Sequence, residues 1–158
     1  MRKGMLYGIA GVVFMTATAF YLSFKAPEKD ISNIEIFFGN DDLDPEVSCN
    51  KVFPVLRSIP KTSGIGKAAL KELLLGPTDF ERAKGYFTSL NPGTEIKNLK
   101  IVDGTAYADF SDTLEKGVGG SCRVAAIRSE ITQTLKQFST IKNVVISIGG
   151  RSEDILQP

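Results

Sequence analysis

Apolar and polar positions change their spacing several times along the chain, and each change marks an element. The longest uninterrupted apolar stretch comes first: after Met1-Arg2-Lys3, Gly4 to Phe24 carries no charged residue. At about 1.5 Å of rise per residue, a helix of that length spans the roughly 30 Å hydrocarbon core of a bilayer. A polar segment with Pro27 comes next and reads as a short tether. Ile34 to Phe38 is a β-rich run closed by the turn-forming Gly39-Asn40-Asp41-Asp42. Lys51 to Ile59 is a second extended run, and Pro54 inside it, unable to donate to a ladder, assigns it to a sheet edge.

From Thr62 the period becomes helical. Ile65, Ala69, Leu70, Leu73 and Leu74 fall on one stripe, with Lys67, Lys71 and Glu72 facing away. Thr62 or Ser63 is expected to cap this helix. Gly76 is expected at its left-handed end, with Pro77 blocking continuation. After a long polar connection, Thr94 to Asp112 reads as a hairpin. Ile96, Leu99 and Ile101 lie in its first strand, Asp103-Gly104 forms the turn, and Ala106, Ala108 and Phe110 face opposite to Tyr107 and Asp109. A second helix carries Val124, Ile127, Ile131, Leu135 and Phe138 at helical spacing behind Ser121 as candidate N-cap. Asn143 to Gly150 is a final strand closed by Gly149-Gly150, and the remaining residues read as a frayed or weakly packed tail.

The order β-β-α-β-β-α-β predicts an α+β fold: a two-layer sandwich with both helices on one face of a four- to five-stranded sheet, behind an N-terminal transmembrane helix. The expected division is 1–3 cytoplasmic N-terminus, 4–24 transmembrane anchor, 25–32 tether, 33–150 folded domain and 151–158 tail. Arg2 and Lys3 ahead of the apolar run orient it with the N-terminus in the cytoplasm and the rest of the chain exported. The alternative is a signal peptide cleaved near Ala17-Thr18-Ala19, giving a secreted protein; the apolar run continues past that point to Phe24, which favours a retained anchor.

Composition narrows the chemistry. A net charge of +1 gives no attraction to nucleic acid or to an anionic membrane surface. Histidine is absent, which removes the commonest general base and the commonest zinc ligand. No catalytic residue, cofactor or metal is therefore assigned. The chain has two cysteines, Cys49 and Cys122. Export makes a disulfide between them reasonable; two unrelated buried thiols are the alternative.

In this order the elements resemble a known family. Gly76-Pro77-Thr78, Asp103-Gly104 with Asp109-Phe110-Ser111, Gly119-Gly120-Ser121 and the closing Val144-Val145-Ile146-Ser147-Ile148-Gly149-Gly150 are similar to the GerMN domain, the sporulation and spore-germination domain of bacterial envelope proteins. The resemblance covers about Asn33 to Gly150. It implies a fold like the ring-building modules of secretion machines and a domain held outside the cytoplasmic membrane of a bacterium. It further implies a non-catalytic role in envelope assembly, toward an envelope-protein or cell-wall partner.

Phe80, Tyr86 and Phe87, in the long connection, are a candidate partner surface. The competing function is a small envelope enzyme or an anion- or ligand-binding protein. It would use Asp109, Asp112 and the Gly117–Ser121 loop, with Arg123 nearby. Asp103 is accounted for by its turn, and the acidic residues have no calcium-loop spacing.

Overall fold

The computed structural model describes residues 30–157. The expected anchor, the cytoplasmic N-terminus and most of the tether lie outside the described residues. Among the described residues no helix is long and apolar enough to cross a membrane.

The chain runs β1 (Ile31–Asn40), β2 (Phe53–Pro60), α1 (Ile65–Leu74), α2 (Asp79–Arg82), β3 (Tyr86–Phe87), β4 (Ile96–Val102), β5 (Thr105–Phe110), a 3₁₀ turn at Asp112–Leu114, α3 (Ser121–Lys136) and β6 (Asn143–Ile148). The strands form two three-stranded sheets instead of the one sheet expected, in the orders β2-β1-β3 and β4-β5-β6. The first is antiparallel; in the second, β4 and β5 form the hairpin and β6 joins β5 in parallel.

The reason for the split lies along the free edge of β1. There the Phe37 N–H donates to Thr134 Oγ1 at 3.1 Å and the Glu35 N–H to Gln137 Oε1 at 2.8 Å, while Gln137 Nε2 returns a bond to the Glu35 carbonyl at 2.6 Å. Two side chains of the α3 end thus occupy backbone groups that a neighbouring strand would otherwise use. Helices α1 and α3 pack on each other; α1 touches β1 and β4, and α3 touches β1 and β6. The core between them holds Ile34, Ile36, Phe38, Leu70, Leu73, Phe110, Leu114, Ile127, Ile131, Leu135 and Ile148.

β2 sits at an edge, as Pro54 requires. Asp103 and Gly104 both take positive φ, 47° and 75°, the requirement of a type I′ hairpin turn. A register shift between Ile96 and Asn98 marks a bulge, which puts Ile96 and Leu99, three residues apart, into the packed layer.

Four expectations are corrected. Gly39 and Asn40 belong to β1, not to the turn after it. The N-cap of α1 is Gly64, with Thr62 Oγ1 accepting the Gly64 N–H, and the N-cap of α3 is Gly120, not Ser121. Gly120 takes φ 83°, an entry angle a side-chain cap would resist. The tether ends earlier than placed, since Ile31 and Ser32 already pair with β2. The tail is packed, not frayed: Ile155 and Leu156 are buried in the core cluster, the Arg128 guanidinium donates to the Ile155 carbonyl, and Arg151 pairs with Glu115.

Candidate functional site

Asn40, at the end of β1, begins the site. Its side chain is buried and engaged at both polar atoms: Nδ2 donates to the Lys84 carbonyl, and Oδ1 accepts the N–H groups of Asp42 and Leu43. This fixes where the β1–β2 connection leaves the sheet. The connection then folds on itself. Asp44 accepts from the Ser48 N–H and hydroxyl, each at 2.7 Å, and Lys51 lies 3.7 Å away. The Ser48 hydroxyl bond and the Ser48 N–H hold the Asp44 carboxyl below its ordinary pKa against the effect of burial, with a lesser contribution from the Lys51 charge. Val47 and Cys49 take left-handed φ of 50° and 62°. A β-branched residue rarely adopts that conformation.

Cys49 is bonded to Cys122, with Cα atoms 4.7 Å apart. Among the described residues, every hydrogen bond and ion pair made by Leu43 to Lys51 stays within residues 40–51. The disulfide is thus the covalent tie between this loop and the first turn of α3. Beneath it lies a cavity of about 300 Å³, lined by Gly39, Asn40, Asp41, Asp44, Val47, Cys49, Lys51, Val52, Phe87, Ser89, Cys122, Arg123 and Ala126.

The opposite wall comes from the segment after α2. β3 pairs with Gly39–Asn40, and the tip of the Phe87 ring closes on Gly39 so tightly that a Cβ there would lie 2.4 Å from Phe87 Cζ. Two residues of α3 hold this segment. Glu130, fully buried, accepts from Thr88 Oγ1 at 2.5 Å and the Ser89 N–H at 2.7 Å. Burial pushes its carboxyl up to about 7, against the pull of those hydrogen bonds. Arg123 donates to Asn91 Oδ1 at 2.7 Å and to the Ser89 carbonyl at 3.4 Å.

A second polar centre fixes where the segment starts. Arg57 of β2 donates to the Glu72 and Gly76 carbonyls at 2.9 and 2.8 Å, satisfying acceptors left open at the end of α1. It also meets Glu72 and Glu81 carboxylates at 3.2 and 2.7 Å. Glu81 closes a capping box with Thr78. Burial alone would raise the Glu81 carboxyl, but hydrogen bonds from Arg57 and the Thr78 N–H outweigh it and lower its pKa.

The aromatic residues of the connection separate. Phe80 is 71% exposed with the Lys84 ammonium 4.2 Å from its ring centroid, Phe87 is 38% exposed on the cavity wall, and Tyr86 packs against the core. The acidic residues do not converge with the glycine loop. Asp109 accepts from the Ser147 hydroxyl and the Gly150 N–H, which closes the β5–β6 end, and neither Asp109 nor Asp112 lines the cavity holding Arg123. Among the described residues no group of three or more His, Cys, Asp or Glu side chains is arranged to hold a metal. Sequence reasoning missed Arg57, Glu81, Glu130 and Asn40. Two had a signal: Thr78-x-x-Glu81 is a capping-box pattern, and Glu130 falls three residues after Ile127 on the apolar stripe of α3.

The fold with this site has counterparts. The family model for sporulation and spore germination, named Germane, matches residues 35–154. The chain therefore belongs to that family and carries a GerMN domain. Among solved structures it is similar to the tandem GerMN domains of the sporulation protein GerM from Bacillus subtilis, with 25% identity, a TM-score of 0.60 and 78% of this chain covered. The chain spans 41% of that structure's length. It is also similar to the first GerMN domain of the same protein, with 24% identity and a TM-score of 0.55, covering 77% of this chain and 85% of the other. A putative lipoprotein from Clostridium perfringens shares the fold at 16% identity and a TM-score of 0.52, with 80% of each chain covered. A search of curated proteins gives no match.

Proposed function

We propose that the chain is a non-catalytic binding module of a bacterial cell envelope, tethered by residues 4–24 to the cytoplasmic membrane with its GerMN domain outside, and that it works in envelope assembly of the sporulation or germination type. The observation that carries the reading is the Cys49–Cys122 bond, which closes the β1–β2 loop over α3. Such a bond is kept in an oxidising compartment and is rare where thiols are held reduced. Family membership and the exposed rings of Phe80 and Phe87 support the binding role. The polar groups near the cavity are engaged with one another, as expected of a scaffold more than of a reacting site.

Protease added to cells with a permeabilised wall should digest the domain while the remaining chain stays in the membrane fraction. Crosslinking in the same cells should give an adduct that Phe80→Ser with Phe87→Ser removes without lowering the amount of chain. Protection from the protease, or release as a shorter soluble protein, would sink the tethered reading. An adduct unchanged by the double variant would sink the aromatic surface.

A further inference from the structure

The cavity under the disulfide loop adjoins the exposed aromatic surface, and its walls specify a chemistry. Gly39, Val52, Phe87, Ala126 and the two sulfurs supply an apolar lining. Of the charged groups there, Asp44 is engaged with Ser48 and Lys51 and Arg123 with Asn91 and the Ser89 carbonyl, while Asp41 is exposed to solvent. An ion entering the cavity finds no unengaged buried counter-charge, whereas an apolar group loses water at no such cost. An apolar cavity of roughly 150 Å³ already accepts benzene. The volume here, about 300 Å³, holds one ring or branched aliphatic group together with the chain that carries it.

The rim indicates what carries it. Val47, in the loop that roofs the cavity, is 60% exposed, and Phe87 on the opposite wall is 38% exposed. A free small molecule would fill the cavity and leave these side chains in water. A protein surface whose side chain enters the cavity covers them as well, the arrangement of an anchor residue within a ring of weaker contacts. The walls are also held in place before anything binds. The disulfide fixes the roof, Glu130 and Arg123 fix the Phe87–Asn91 wall, and the left-handed Val47 is a strained residue kept beside the opening.

We propose that this cavity receives one neutral apolar side chain, aromatic or branched aliphatic, presented by a protein partner. This names the partner's chemistry and rests on the reading of the chain as a binding module.

The test is a titration of the full chain, disulfide intact, with N-acetylphenylalaninamide, followed by the NMR signals of Gly39, Val52 and Ala126. Saturable shifts centred on those residues are expected, in the millimolar range suited to one isolated side chain. N-acetylaspartamide should bind about tenfold more weakly or not at all. Ala126→Leu, which fills the cavity from a half-buried helix position, should weaken the phenylalanine probe by about tenfold with the melting temperature little changed. Scattered or unsaturable shifts, or equal binding of the acidic probe, would overturn the site. Phenol binding as tightly as the blocked amino acid would overturn the protein source in favour of a free small molecule. A chain that is exported and loses its adduct through the Phe80 and Phe87 variants, yet shows no saturable titration, keeps the binding-module reading and loses the cavity.

Discussion

Arg57 and Glu81 are 24 residues apart in sequence and joined by a 2.7 Å ion pair in the fold. The pair does more than neutralise charge. Arg57 spans the end of α1, where it takes the Glu72 and Gly76 carbonyls, and the start of α2, where Glu81 closes the capping box. The Gly76-Pro77-Thr78 corner is thus clamped from β2, and the Arg57 guanidinium lies 5.5 Å from the Phe38 ring centroid in the core.

Arg57→Ala leaves two carboxylates facing each other and two carbonyls without a donor. Breaking a buried pair by removing one partner typically costs about 3–5 kcal/mol, and a loss at the lower end is expected because Glu72 remains partly solvated. Glu81→Gln should cost less, since the amide still accepts from Arg57. The depressed Glu81 pKa makes its contribution present above the unfolded value near 4.5 and lost as pH falls through the folded value. Urea midpoints of the two variants at pH 7 and pH 3 check both statements: the gap between wild type and Glu81→Gln should narrow at the lower pH.

The helix stop is a local matter and was legible from sequence. Gly76 takes φ 74°, as the Gly-Pro pair requires. Gly76→Val should cost on the order of 1–2 kcal/mol from the left-handed backbone alone. An added Cβ lies 3.6 Å from Thr88 Cγ2, an ordinary contact, so crowding at Cβ adds little. An unchanged urea midpoint would refute the conformation.

Legibility in the sequence tracks the range of the interaction. The Asp103-Gly104 turn, the apolar faces of α1 and α3 and the edge position of the Pro54 strand are all written within a few neighbouring residues. The division into two sheets is not, because it depends on Thr134 and Gln137 reaching the edge of β1 about 100 residues back. Nor is the packing of Ile155 and Leu156, which accompanies left-handed φ at Asp154 and at Leu156, the second a residue type that rarely adopts it. The two cysteines could be paired on paper. The cavity they roof could not, since its far wall depends on the Phe87 ring filling the space left by the missing side chain of Gly39.

The disulfide closes a sequence separation of 73 residues. In the chain-entropy model such a link stabilises the fold by roughly 4 kcal/mol. Cys49→Ser with Cys122→Ser should therefore lower stability by up to that amount. Protection from hydrogen exchange should fall most over Leu43 to Lys51 of the β1–β2 connection, whose hydrogen bonds stay within residues 40–51. Uniform loss across the domain, with the loop no more affected than β5, would show that the bond is not the loop's main restraint.

Glu130 gives the sharpest pH signature. In the unfolded chain its carboxyl titrates near 4.5, and burial raises it to about 7 in the folded domain, where Thr88 and the Ser89 N–H are its partners. Between those values the folded state holds a proton that the unfolded state has released. Linkage then requires this contribution to stability to be full below about pH 4.5 and to fall as pH rises toward 7 and beyond. The sign is opposite to that of Glu81, so the two carboxylates bracket a maximum on the acid side of neutrality. Glu130→Gln removes the ionisation while keeping an oxygen to accept the Ser89 N–H and an amide to meet the Thr88 hydroxyl. It should match wild type near pH 4.5 and exceed it at pH 8, by an amount on the order of 3 kcal/mol set by the size of the shift. Thr88→Val should act oppositely, lowering stability at pH 8 by taking away a donor to the carboxylate. Urea unfolding of the three proteins across this range, with the ¹³C carboxyl signal of Glu130 tracked in the folded state, decides the matter. A Glu130 carboxyl that titrates at its ordinary value, or a Gln variant parallel to wild type at every pH, would show that the residue is solvated and not sealed between α3 and the Thr88–Ser89 segment.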